Sequence, residues 1–110
     1  MAKISTLTLK GRSGQKYEFA VYPMNQEFLS VGAVYAVTRR YQSSEGGHNH
    51  DVVYIGQTED LSTRFEDHHK ADCFKEHKAN CICTHGDSDE DSRLAKEDDL
   101  IKQYNPDCND

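Results

Sequence analysis

What the sequence lacks narrows it first. No apolar run approaches the roughly 20 residues needed to cross a bilayer. The opening Met1-Ala2-Lys3-Ile4-Ser5-Thr6-Leu7 is interrupted by polar residues where an export signal would be continuously apolar. No membrane association is therefore expected, and the chain is expected in the cytoplasm. Cysteine is scarce, with only Cys73, Cys81, Cys83 and Cys108, and in a reducing compartment free thiols are the default. Bases are outnumbered, Lys+Arg 13 against Asp+Glu 19, for a net charge of −6, which argues at first against a nucleic-acid partner. The excess is local, however. Residues 86–100 hold seven acids (Asp87, Asp89, Glu90, Asp91, Glu97, Asp98, Asp99) against Arg93 and Lys96, leaving 11 bases and 12 acids elsewhere. A chain of 110 residues is long enough for one compact domain that needs neither disulfides nor metal to bury a core.

What is present reads as strands and helices. Residues 4–9 and 16–22 are rich in β-branched and aromatic residues, with Tyr17, Phe19 and Val21 alternating onto one face. Gly11-Arg12-Ser13-Gly14 between them is a turn signal, so a β-hairpin is predicted, ended by Pro23. Phe28 and Leu29 are the expected core anchors of the connection that follows. Residues 31–39, Val-Gly-Ala-Val-Tyr-Ala-Val-Thr-Arg, are almost continuously apolar and predict a central strand covered on both sides. A polar loop over 43–51 leads to a further strand from Val52 to Ile55, expected antiparallel to it. His48 and His50 in that loop read as solvated residues, because a closed zinc site wants four ligands.

Gly56 ends this strand and Thr58 is the expected N-cap of a helix reaching His68, with Glu59 and Asp60 in its first turn. Leu61, Phe65 and His68 or His69 form its inner stripe. Arg64 and His68, four apart, would share one helical face and could meet one anion. Residues 70–79 have little period, and Phe74 is their core candidate. Residues 80–85 predict a strand with Cys81, Cys83 and His85 on one face and Ile82 on the other. A final helix is predicted from Asp89 to Tyr104, with Leu94, Glu97, Leu100 or Ile101, and Tyr104 on its core side, stopped by Pro106.

Glu97 on an apolar stripe needs a partner or a cation. Each candidate has a plain structural reading as well. Tyr35 and Tyr54 could be core aromatics. Arg64 could pair on the surface with Glu66 or Asp60, and His68 and His69 could cap a helix end. Cys73, His77, Cys81, Cys83 and His85 form a second constellation, but Cys81-Ile82-Cys83 is too tight for a zinc knuckle, and structural Zn2+ is not expected.

Taken together, Val34-Tyr35, Tyr54-Ile55-Gly56, Arg64, His68, Glu97 in Glu-x-x-Leu-Ile-x-x-Tyr, and Pro106 followed by Asn109 resemble the GIY-YIG nuclease family over residues 32–109. The first element departs from the pattern, reading Gly32-Ala33-Val34-Tyr35, and the loop to Tyr54 is long for the family. The resemblance implies an α/β (α+β) fold with a central three-stranded, largely antiparallel sheet flanked by helices. Residues 1–29 would be an N-terminal β-hairpin extension and 30–110 the nuclease-like domain.

The implied activity is metal-dependent hydrolysis of phosphodiester bonds in DNA or another nucleic acid. Tyr35 and Tyr54 would face the site, one as general base or positioner of water, with His68 as a hydrogen-bond acceptor for it. Arg64 would steady the phosphate. Glu97 would hold one divalent cation, Mg2+ or Mn2+, and Asn109 would support the site. His77 could approach it too. Arg39, Arg40 and Lys70 are the candidate nucleic-acid contacts. The alternative is a catalytically weak or inactive module that binds nucleic acid or a protein partner through the same groove.

Overall fold

The computed structural model describes residues 3–65 and 68–109. Strands β1 (Ser5–Lys10), β2 (Lys16–Pro23), β3 (Ala33–Gln42), β4 (His48–Thr58) and β5 (Cys81–Gly86) build one sheet in the order β1-β2-β5-β3-β4. Every neighbouring pair is antiparallel. The fold is α+β, with the expected three strands β5-β3-β4 at one end. The hairpin β1-β2 extends that unit by pairing with β5, so the sheet has five strands.

The residues explain the arrangement. Ala33 to Thr38 are all buried because β3 lies between β4 and β5 and is covered on both faces, as its apolar run requires. On one face Leu9, Phe19, Val21, Val34, Ala36, Ile55, Cys81, Cys83 and Leu100 form a core, to which the hairpin contributes three side chains. The helix over this face is α3 (Glu90–Tyr104). Its start is set by Asp89, whose side chain accepts from Ser92 N at 2.8 Å, and its end by left-handed Asn105 ahead of Pro106. On the other face Tyr35, Val37, Val53, Tyr54, Phe74 and Cys108 form a second cluster. It is covered by the short helices α1 (Leu61–Arg64) and α2 (Ala71–Glu76) and by a 3-10 turn over Asp107–Asn109. No described helix is long and apolar enough to cross a membrane.

Several expectations need correction. The strand predicted from Val52 begins at His48 and runs on to Thr58, because the β3–β4 ribbon continues to its tight turn. His48 and His50 are therefore strand residues, bonded to Arg40 (3.2 Å) and to Thr38 Oγ1 (2.8 Å). The helix N-cap is Asp60, which accepts from Ser62 N at 3.0 Å, while Thr58 Oγ1 is engaged by Asp60 N. That helix is one turn long and ends at Phe65, so Arg64 and His68 do not share a helical face. Leu29 is 66 % exposed and only Phe28 anchors its loop, against Tyr22 and Phe65. In α3, Leu94 is 44 % exposed and Arg93 takes the inward place. The thiols are not all free: Cys73 and Cys108 form a disulfide, while Cys81 and Cys83 are free and buried. Glu66, considered as a partner of Arg64, lies outside the described residues.

Candidate active site

Tyr35 stands at the centre. It faces Gly56 across the β3–β4 ladder, and a bulge at Val53 shifts the register so that Val37 pairs with Tyr54 and Thr38 with Val52. Bulges re-aim side chains beside functional sites; here adjacent Val53 and Tyr54 both join the cluster around Tyr35. Gly56 is required by the close approach of that tyrosine. A Cβ at position 56 would lie 2.6 Å from both Cζ and Oη of Tyr35 and 2.9 Å from the Tyr54 ring.

Two side chains converge on the Tyr35 hydroxyl. Arg64 donates its Nε–H to the oxygen at 3.0 Å, and His68 Nε2 lies 2.9 Å away. The other imidazole nitrogen, Nδ1, accepts the backbone N–H of Lys70 at 3.0 Å. Burial, and then the charge of Arg64, lowers the His68 pKa to about 4, so the ring is neutral at pH 7. With Nδ1 accepting, the single ring proton is on Nε2. His68 is thus a donor to Tyr35, which corrects the expected role as acceptor. Burial also raises the pKa of the Tyr35 phenol well above the usual tyrosine value; nearby Tyr54 adds to this and Arg64 opposes it. The phenol is protonated at neutral pH. Its oxygen accepts two hydrogen bonds, and its own O–H has the Tyr54 side chain as a hydrogen-bond partner.

The outer edge of β4 carries the remaining residues. Asn109 Oδ1 accepts from Ile55 N at 2.9 Å and its Nδ2 donates to Ile55 O at 2.8 Å. One side-chain amide therefore does what a neighbouring strand would do. Two residues along, the Gln57 backbone N–H holds the Glu97 carboxylate, whose pKa burial raises against that hydrogen bond and the nearby Arg64 charge. Glu97 has no ion-pair partner among the described residues. A half-buried carboxylate held by one backbone N–H keeps lone pairs free, which fits a divalent cation that takes a single carboxylate and fills its other positions with oxygen ligands.

Tyr35, Arg64 and His68 are thus joined by hydrogen bonds, Tyr54 packs beside them at 6.0 Å from the Tyr35 ring, and Glu97 lies within the field of Arg64. Lys70 contributes its backbone to His68. Arg39 and Arg40 lie farther along β3, where Asp51 holds Arg39 at 2.7 Å and Arg40 contacts His48. His77 is turned away to Cys73, Cys108 and Asp107.

Sequence reading missed Arg93. It is 4 % exposed, donates from Nε to Gln57 Oε1 at 3.0 Å and from Nη1 to the Asp87 carbonyl at 3.1 Å. It therefore fixes the side chain of the residue whose backbone N–H holds Glu97. Gly32 makes room for it, since a Cβ there would meet Nη1 at 2.6 Å. The available signal was position: Arg93 is one helical turn before Glu97 on the same face.

Among curated proteins and among solved structures, no match was found. The model of one protein family, described as the GIY-YIG catalytic domain, matches residues 31–109, which takes in Tyr35, Tyr54, Arg64, His68, Arg93, Glu97 and Asn109. The chain belongs to the GIY-YIG family, whose catalytic domain is of nuclease type.

Proposed function

We propose that the protein is a metal-dependent endonuclease that hydrolyses phosphodiester bonds in DNA. The observation that carries this reading is the convergence of Arg64 and His68 on the Tyr35 hydroxyl with a half-buried Glu97 beside Arg64 that has no ion-pair partner among the described residues. Arg64 spends its Nε–H on Tyr35 and keeps its terminal amino groups for a phosphate, where a planar cation stabilises developing charge. Tyr35, protonated, accepting from two donors and hydrogen-bonded to Tyr54, acts as a positioner that fixes Arg64, His68 and Tyr54 relative to one another at the phosphate. Neutral His68 holds that phenol by donating from Nε2. Glu97 would hold Mg2+ or Mn2+, with Gln57 and Arg93 fixing the carboxylate. When bound, such an ion supplies Lewis acidity at the phosphoryl group.

A second reading, a module that binds nucleic acid or a protein without cutting, is favoured by one observation. Arg39 is neutralised by Asp51, which reduces the basic surface available to a substrate.

One assay separates the two readings. Branched, single-stranded and duplex DNA are incubated with Mg2+ or Mn2+ and wild type, Glu97→Gln or Arg64→Ala. Cutting by wild type, its disappearance in Glu97→Gln, and a loss of about 10²–10³ in kcat for Arg64→Ala are expected. If wild type cuts none of the substrates yet binds them, the module reading replaces the enzyme. Undiminished cutting by Glu97→Gln removes the assigned site.

A further inference from the structure

Away from the Tyr35 hydroxyl, three potential metal ligands meet. Cys73 on α2, His77 at its C-cap and Cys108 on the 3-10 turn each bring a ligand atom within 4.8 Å of the others. His77 Nδ1 is 3.8 Å from both sulfurs, and Nε2 is 3.4 Å from Asp107 Oδ2. In a tetrahedral zinc centre, bond lengths of about 2.3 Å to sulfur and 2.0–2.1 Å to nitrogen put sulfur and nitrogen about 3.5 Å apart. Both sulfur–nitrogen edges of the triangle are close to that span, and only the two sulfurs must separate. A carboxylate on the second imidazole nitrogen is the partner that orients a metal-bound histidine. In the disulfide form Nδ1 is 3.0 Å from the Cys73 carbonyl; with the proton moved to Nε2, towards Asp107, the Nδ1 lone pair is free for a metal.

We propose that Cys73, His77 and Cys108 form a zinc site that fills when the Cys73–Cys108 bond is reduced, with water as the fourth ligand. The reductant is a dithiol. It closes to its own disulfide as the Cys73–Cys108 bond breaks, and two electrons and two protons pass to the cysteine sulfurs. Each thiol then releases its proton to solvent on binding Zn2+. Disulfide and zinc are alternative clasps between the same two elements. Either one ties α2 to the 3-10 turn, between Phe74, which packs on Tyr54 and His68, and Asn109, which holds Ile55. Cys81 and Cys83 are not part of the site; burial raises the Cys83 thiol to about 12, against the thiolate that zinc requires.

The test uses the full chain, either reduced with a dithiol or left oxidised, exposed to Zn2+, desalted and analysed for metal by mass spectrometry. The reduced protein is expected to keep about one zinc per chain and the oxidised protein essentially none. His77→Ala and Cys108→Ser should lose the zinc, while a Cys81→Ser/Cys83→Ser double variant should keep it. Should Cys108→Ser fail to fold, His77→Ala and the absorption of reduced wild type loaded with Co2+ decide, since thiolate ligation gives a sulfur-to-cobalt charge-transfer band. Reduced, folded wild type without zinc and without that band overturns the proposal, as does full zinc retention by His77→Ala.

Discussion

At the scale of single residues, the site depends on a missing side chain. Gly56 lets the Tyr35 ring lie against the β4 backbone, and its role is steric, since any Cβ there would overlap the phenol. Gly56→Ala should therefore displace Tyr35, cost about 1–3 kcal/mol as overpacking does, and break the hydrogen bonds from Arg64 and His68. A denaturant titration reads the first effect and the cleavage assay the second. An Ala variant with wild-type midpoint and activity would show that the ring has room to move. Arg93 is the comparable case for charge: a guanidinium almost fully buried on neutral oxygens, tolerated because charge-assisted hydrogen bonds replace part of its hydration.

Among the elements, β4 lies at the edge of the sheet, and its backbone holds the Asn109 and Glu97 side chains. Asn109→Ala removes both hydrogen bonds to Ile55 and should cost about 1–3 kcal/mol, the penalty for leaving backbone groups unsatisfied. Amide hydrogen exchange at Ile55 should accelerate more than at residues of β3. Asn109→Asp keeps the acceptor and loses the donor, and an intermediate effect is expected; equal exchange in all three proteins would refute the clamp.

The strands were legible in the sequence because alternation and continuous apolar character report directly on which faces are covered, as in β2 and β3. The helices were less so. Thr58 and Asp60 can both cap, and only the local turn, in which Thr58 engages Asp60 N, decides between them. Hydropathy places Leu94 inside, yet Arg93 has hydrogen-bond partners there that belong to β4 and the β5–α3 loop. Tyr35, Arg64 and His68 could be chosen together from the resemblance to the family, but His68 as a donor depends on a backbone N–H two residues away. The Cys73–Cys108 bond joins residues 35 apart, and the tertiary proximity behind it leaves no local pattern.

For the whole molecule, acid is the informative stress. The His68 pKa is about 4 in the folded protein and about 6.5 in an unfolded chain. Between these values the unfolded chain binds a proton that the folded one excludes, so stability falls as pH drops. The contribution is intact above about 6.5 and is lost progressively down to about 4, by up to about 3 kcal/mol. Chemical denaturation of wild type and His68→Gln at pH 7 and pH 4.5 checks this: the wild type should lose more stability than the variant. Equal losses would place the acid sensitivity elsewhere.

The residues along the β4 edge have one more consequence, and it concerns solubility. Asn109 and Glu97 cover backbone groups that would otherwise be an open template for another strand. A carboxylate assigned to hold a metal therefore also keeps one molecule from pairing edge to edge with the next. Truncating it to alanine would bare the strand as well as remove the charge, and self-association of that variant could pass for lost chemistry. Glutamine, which keeps the length and an acceptor oxygen for Gln57, separates the two.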